Sequence, residues 1–184
     1  VAGRVAYRIG AVDRPGENKV HTGTVPRLGG LAIYLAICGT LLLALWWDRA
    51  AFHPYSQQIW GLYLGGFVIL GLGIYDDTRG SNAPTKLICQ GLAALVLYFH
   101  GVRIELLTNP FGPAFSLGAL SLPLTILWVI ALVNAFNLLD GLDGLAAGSA
   151  CIAAGALIAV AWHDHRAGMA ILMLALAGAC AGFL

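Results

Sequence analysis

The chain has 184 residues, 59% of them hydrophobic and 10% charged, with 24 glycines, a net charge of +1 and a mean hydropathy of +0.82. That leaves too little polar surface for a soluble globule of this size and makes lipid the expected solvent. The near-neutral balance gives no basic footprint for nucleic acid.

In chain order, the first polar stretch is residues 1–27, which begins at Val1 with no basic, apolar and small-residue leader pattern. Within it "DRPGENKVHTGTVPRLGG", residues 13–30, joins Arg14, Lys19, His21 and Arg27 to Pro15 and Pro26 and closes on Gly29-Gly30. Cations on a stiffened loop suit an anionic ligand at the membrane surface, and the same cations also suit a cytoplasmic anchor. Apolar runs follow at Leu28–Trp47, Ile59–Tyr75, Ala83–Phe99, Leu117–Leu139, Gly144–Trp162 and Ala167–Leu184. Each is near the ~20 residues that cross hydrocarbon as a helix. The predicted fold class is therefore all-α, a polytopic transmembrane helix bundle of about six spans with cytoplasmic active-site loops. Cys38, Cys89, Cys151 and Cys180 fall inside these runs without a C-x-x-C pair and read as buried, inert thiols.

Alternate loops differ in charge. One set holds Arg4, Arg8, Arg14, Lys19, Arg27, Arg79 and Lys86, against Arg49, Arg103 and Arg166 in the other. The positive-inside bias makes the first set cytoplasmic. Asp13, Glu17, Asp76, Asp77, Asp140 and Asp143 lie on that same face, which predicts a shared site there. On the opposite face, "RIELLTNPFGPAFSLG" predicts a short hairpin, and His163 and His165 read as a surface turn.

Three further constellations carry chemistry. Asp76 and Asp77 follow a span directly, so their repulsion calls for a divalent cation, Lys86 or Arg79; a raised pKa in one of them would make a general base. Lys86 and Gln90 are four apart and share a helix face that points into the bundle. In "NAFNLLDGLDGLAAG", residues 134–148, Asn134, Asn137, Asp140 and Asp143 recur every three residues as a polar stripe, while Gly141, Gly144 and Gly148 argue against an uninterrupted helix. Carboxylates with amide oxygens are hard ligands suited to Mg²⁺.

In this order and spacing the four motifs resemble those of the polyprenyl-phosphate N-acetylhexosamine-1-phosphate transferases, over essentially the whole chain. The resemblance implies transfer of a sugar-1-phosphate from a UDP-N-acetylhexosamine to undecaprenyl phosphate, releasing UMP, with Mg²⁺ (or Mn²⁺) required. It implies a multi-pass protein of the bacterial inner membrane, with the lipid bilayer as partner and a homodimer compatible. "VPRLGG" is similar to the branch using UDP-N-acetylglucosamine, whereas the muramoyl-pentapeptide branch typically reads T-P-T-M-G-G.

Carried over by position, Asp76 and Asp77 match the aspartate pair implicated in activating the lipid phosphate and in the metal environment. Lys86 matches the lysine that follows the pair. Asn137 matches a metal-meeting asparagine and, with Asp77, makes the expected metal set. Asp143, Gly144 and Leu145 match the segment bordering the nucleotide. Lys19, His21, Arg27, Gln90, Asn134 and Asp140 complete the expected substrate-binding set. The family's later F-M-G-D-x-G-S-like motif and its histidine-rich loop are missing from this sequence. Residues 1–184 are accordingly expected to be one integral membrane domain truncated at both ends, inactive alone and part of a longer enzyme. The rivals are a transporter lined by intramembrane Asp and Asn, and a non-catalytic membrane subunit.

Overall fold

Every apolar run forms a helix in the computed structural model, which describes residues 12–13, 25–26, 29–140 and 144–184. The helices are α1 (Gly29–Trp47), α2 (Ser56–Arg79), α3 (Ala83–Phe99), α4 (Ser121–Leu139), α5 (Leu145–His163) and α6 (Ala167–Phe183). Two-residue strands β1 (Val12–Asp13) and β2 (Val25–Pro26) pair antiparallel before α1. Strands β3 (Leu106–Leu107) and β4 (Phe115–Ser116) pair antiparallel between α3 and α4, which bears out the expected hairpin. The chain is thus an all-α polytopic bundle. Gly29–Trp47, His53–Arg79, Gly118–Leu139 and Leu145–His163 are long and apolar enough to cross a membrane. Helices α3 and α6 have 17 residues each; at ~1.5 Å per residue they reach about 26 Å, the short end for a span.

Each helix packs on the next, and α6 returns to α1, so the six close into a ring. Packing follows the rule for membranes, where lipid is as apolar as leucine and close backbone approach gives the attraction. Small residues are inside: Ala93 and Ala94 of α3, Ala147, Ala154 and Ala161 of α5, Ala170 and Ala175 of α6. Large ones such as Leu43, Phe67, Ile88, Leu138 and Ile152 face outward. The α5 alanines recur every seven residues, which keeps one narrow face on the neighbouring helix. Between α1 and α2 the Tyr34 hydroxyl donates to the Tyr63 carbonyl at 2.8 Å, and the Tyr63 hydroxyl to the Cys38 carbonyl at 3.1 Å. All four cysteines are free thiols.

Helix alternation puts the end of α1, the start of α2 and the end of α5 on one side of the ring. There Trp46, Trp47, Trp60 and Trp162 are all exposed, as expected of an aromatic belt at a membrane interface. The β3–β4 hairpin leaves from this same end, and its root is fastened to α4. Thr125 Oγ1 accepts from the Ile104 amide at 3.0 Å and donates to the Ser121 carbonyl at 2.7 Å, while Ser121 Oγ donates to the Ile104 carbonyl at 2.6 Å. Thr125→Val keeps the shape and orphans the Ile104 amide, an expected loss of ~1–3 kcal/mol. Thermal unfolding in detergent checks this, and an unchanged midpoint would make the fastening dispensable.

The element ends differ from expectation at one informative place. Asp76 and Asp77 do not follow α2; the helix continues through them to Arg79, with Thr78 Oγ1 bonded to the Ile74 carbonyl at 2.8 Å. Gly80 stops it, at φ 74°.

Candidate active site

The connection from α2 to α3 builds the polar end of the ring. Asn82 caps α3, its Oδ1 accepting from the Thr85 amide at 3.0 Å, and Pro84 stands in the first turn. This tight reversal brings Lys86, in the first turn of α3, back over the last turns of α2. Lys86 Nζ donates to Asp76 Oδ2 at 2.7 Å. Ser81 holds the other oxygen twice: its amide donates to Oδ1 at 2.9 Å and its hydroxyl at 2.6 Å. Asp76 lies beyond the apolar run that ends at Tyr75. Three donors on its two oxygens satisfy an ionised carboxylate, so the geometry fits a fixed anion rather than a general base.

Asp77 is placed differently. Adjacent helical residues point about 100° apart, so while Asp76 turns to α3, Asp77 lines a cavity of about 520 Å³ between α1, α2, α3 and α4. The walls are otherwise apolar or glycine, including Ile37, Gly66, Ile69, Gly73, Leu97 and Val133. Along α2 the lining runs from Leu62 to Asp77, about 22 Å at ~1.5 Å per residue. Asp77 is therefore a carboxylate at the end of an apolar channel, and the two aspartates that look like one site in sequence divide between two neighbours.

One turn beyond Lys86, Gln90 is 3% exposed near the middle of α3. Its Oε1 accepts from Asn134 Nδ2 at 2.8 Å, and the same Nδ2 reaches the Ile130 carbonyl at 2.8 Å. The structure thus gives Gln90 and Asn134 to each other, joining α3 to α4. A double-mutant cycle of Gln90→Leu and Asn134→Leu is expected to read ~0.6 kcal/mol of coupling, the average for such bonds in membranes; zero coupling would remove the bridge from the account.

The rest of the stripe separates by position. Asn137 is exposed, one turn along α4 from the cavity-lining Val133. Asp140 is exposed at the C-cap, its amide bonded to the Phe136 carbonyl at 3.1 Å. Gly144 has φ 76° and starts α5, and Leu145 follows it, 41% exposed. The expected break thus lies between Leu139 and Leu145. Lys19, His21, Arg27, Gly141 and Asp143 lie outside the described residues; the β1–β2 pairing sets Val12 beside Pro26 at the two ends of that first loop. Among the described residues no three His, Cys, Asp or Glu side chains form a metal-holding group. His163 is exposed, with Nδ1 3.1 Å from Asp164. Asp77, at the cavity, and Asn137, one turn along α4 from Val133, are oxygen donors of the kind Mg²⁺ takes alongside water and phosphate oxygens.

Residues 59–184 match the family model described as glycosyl transferase family 4. The chain belongs to that family. Among curated relatives it is 35% identical to a probable undecaprenyl-phosphate N-acetylglucosaminyl 1-phosphate transferase of Bacillus subtilis, over 98% of this chain and 49% of the relative. It is 38% identical to a decaprenyl-phosphate N-acetylglucosaminephosphotransferase of Mycobacterium tuberculosis, over 98% and 48%. With an undecaprenyl-phosphate alpha-N-acetylglucosaminyl 1-phosphate transferase of Escherichia coli it shares 30%, over 97% and 47%. The chain spans about half the length of these relatives. No solved structure matches it. Ser81 is the member of the Asp76–Lys86 cluster that the sequence reading did not include. The S-N-A-P run signals a cap and a helix start, but the bond to Asp76 appears only once the reversal is folded.

Proposed function

We propose that the protein containing this chain transfers N-acetylglucosamine-1-phosphate from UDP-N-acetylglucosamine to undecaprenyl phosphate, releasing UMP. The carrying observation is a charged cluster, Asp76 with Lys86 and Ser81, beside an apolar channel with Asp77 at its polar end. A lipid phosphate needs that combination: a groove for an isoprenoid tail and ionic groups at the depth of its head. The relatives' names give the same transferred group and a polyprenyl phosphate acceptor, and favour this reading over the muramoyl-pentapeptide branch.

In the reaction, an oxygen of the lipid phosphate attacks the sugar-bearing β-phosphorus. A new P–O–P linkage forms, the bond from that phosphorus to the bridging oxygen breaks, and the electron pair leaves with UMP. Two anions must meet, so lowering their repulsion is the main task. Asp76 holds Lys86 at the site so that its ammonium is oriented toward the phosphates. Lys19, His21 and Arg27 of the first loop are the further groups proposed to take the donor diphosphate. Mg²⁺, taken by Asp77 and Asn137 together with diphosphate oxygens, would neutralise charge there. The lipid phosphate is already largely ionised near neutral pH, so no general base is required. The gathering of basic loops on that side supports a site on the cytoplasmic face of the inner membrane.

The test is UMP release by the full-length protein in detergent, with undecaprenyl phosphate and UDP-N-acetylglucosamine, before and after chelation and Mg²⁺ return. Release that follows Mg²⁺ is expected. Release only with another UDP-sugar would move the donor, and silence with every donor would overturn the reading.

A further inference from the structure

We propose that the β3–β4 hairpin is an interfacial anchor, lying among the phospholipid headgroups of the leaflet opposite the Asp76 site, with Phe111 in the acyl boundary and Arg103 at phosphate depth. The inference is independent of the transferase reading.

Residues 106–120 contain no charged side chain. Leu106 and Phe115 are 61% exposed, and Phe111, at the tip, 96%. Leu107 and Ser116 are exposed too, so both faces of the hairpin carry side chains that the protein leaves open. The tip is a built turn. Asn109 Oδ1 accepts from the Phe111 amide at 3.0 Å, the Asn109 carbonyl from the Gly112 amide at 3.4 Å, and Pro110 and Pro113 flank Phe111. A stiff turn that presents an uncovered phenylalanine is costly in water and suited to lipid.

What covers it follows from its level. The hairpin root is bonded to Ser121 and Thr125 in the first turns of α4, at the end of the ring where the exposed tryptophans mark the interface. The hairpin therefore leaves the bundle at headgroup depth and continues the lipid-facing surface. Arg103 adds the polar contact. Its guanidinium sits 5.6 Å from the centre of the Tyr98 ring, and Nε and Nη2 both bond Glu105 Oε1 at 2.6 Å. Those two contacts use two of five N–H donors, leaving three. A cavity of about 370 Å³ opens there between Tyr98, Arg103, Glu105 and Ser116. A phospholipid phosphate matches the remaining donors.

The measurement uses the full-length protein in nanodiscs of phosphatidylethanolamine and phosphatidylglycerol, carrying Phe111→Cys labelled with an environment-sensitive fluorophore. The side chain is almost wholly exposed, so the exchange leaves folding unchanged. Protein without the added cysteine gives the background, and Asp164→Cys on the α5–α6 turn is the water-facing control. Lipids with a nitroxide near the headgroup are expected to quench position 111 several-fold more than position 164, and an aqueous quencher to do the reverse. Aqueous quenching of 111 equal to that of 164 would overturn the proposal. So would protection from both quenchers, which would mean a protein surface, a partner or a second copy, covers the hairpin.

Discussion

Asp76→Asn in the full-length protein is expected to lower UMP release by about 100-fold or more while leaving the fold in place. The two effects separate because of what the amide keeps. Its oxygen still accepts from the Ser81 amide and hydroxyl, which hold Oδ1 at 2.9 and 2.6 Å in the native site. The charge that fixes Lys86 Nζ at 2.7 Å is lost. Asp76 is 34% and Lys86 30% exposed, so the pair is partly screened and worth at most ~1 kcal/mol to stability. In the proposed reaction the rate depends on where the ammonium stands when two anionic phosphates meet, and a misplacement of about 1 Å is worth ~100-fold. Lys86→Met should fall as far, and the double variant no further than the worse single one, because the two act as a unit. Activity near wild type in Asp76→Asn would remove the pair from the mechanism.

The six helices were legible because their signal is local. Runs near 20 apolar residues in a chain with few charges have one solution in lipid, since backbone polar groups must be satisfied within the segment. The hairpin was legible from Asn109, Pro110, Gly112 and Pro113 between short apolar stretches. The Asp76–Lys86 pairing was within reach, because both residues flank one short connection. Three features were not. Side-by-side aspartates suggest a shared cation, and only the helix continuing to Arg79 turns Asp77 away from Asp76 into the channel. The stripe from Asn134 to Asp143 suggests one ligand set, yet Asn134 faces Gln90 of α3 while Asp140 caps α4. Gln90 looked like a binding residue because an amide in an apolar run needs a partner; which partner is a tertiary fact, set by how α3 crosses α4. The apolar channel left only a trace, the glycines of α2, whose open side depends on the neighbouring helices.

Those glycines give the second large expected effect. Gly73 lines the channel, and a Cβ built on it meets nothing within 4 Å. Gly73→Leu should thus fill the channel without displacing a helix. Gly66 also lines it but is a poorer probe, since its Cβ would come within 2.8 Å of the Tyr34 ring and disturb the α1–α2 contact. Gly71 is the control: it too has open space around a built Cβ, and it does not line the channel. For Gly73→Leu we expect kcat/KM for the lipid acceptor to fall at least about tenfold, equivalent to ~1.4 kcal/mol, with KM for the UDP-sugar unchanged and unfolding temperature within error of wild type. Gly71→Leu should match wild type in all three. The effect is steric. A tail leaving the bilayer for the channel exchanges one apolar medium for another, so it gains little from hydrophobic transfer and depends on shape. Equal loss in both variants would point to a general demand for small residues on α2. No loss in Gly73→Leu would place the acceptor tail elsewhere and leave Asp77 at the end of a channel with another occupant.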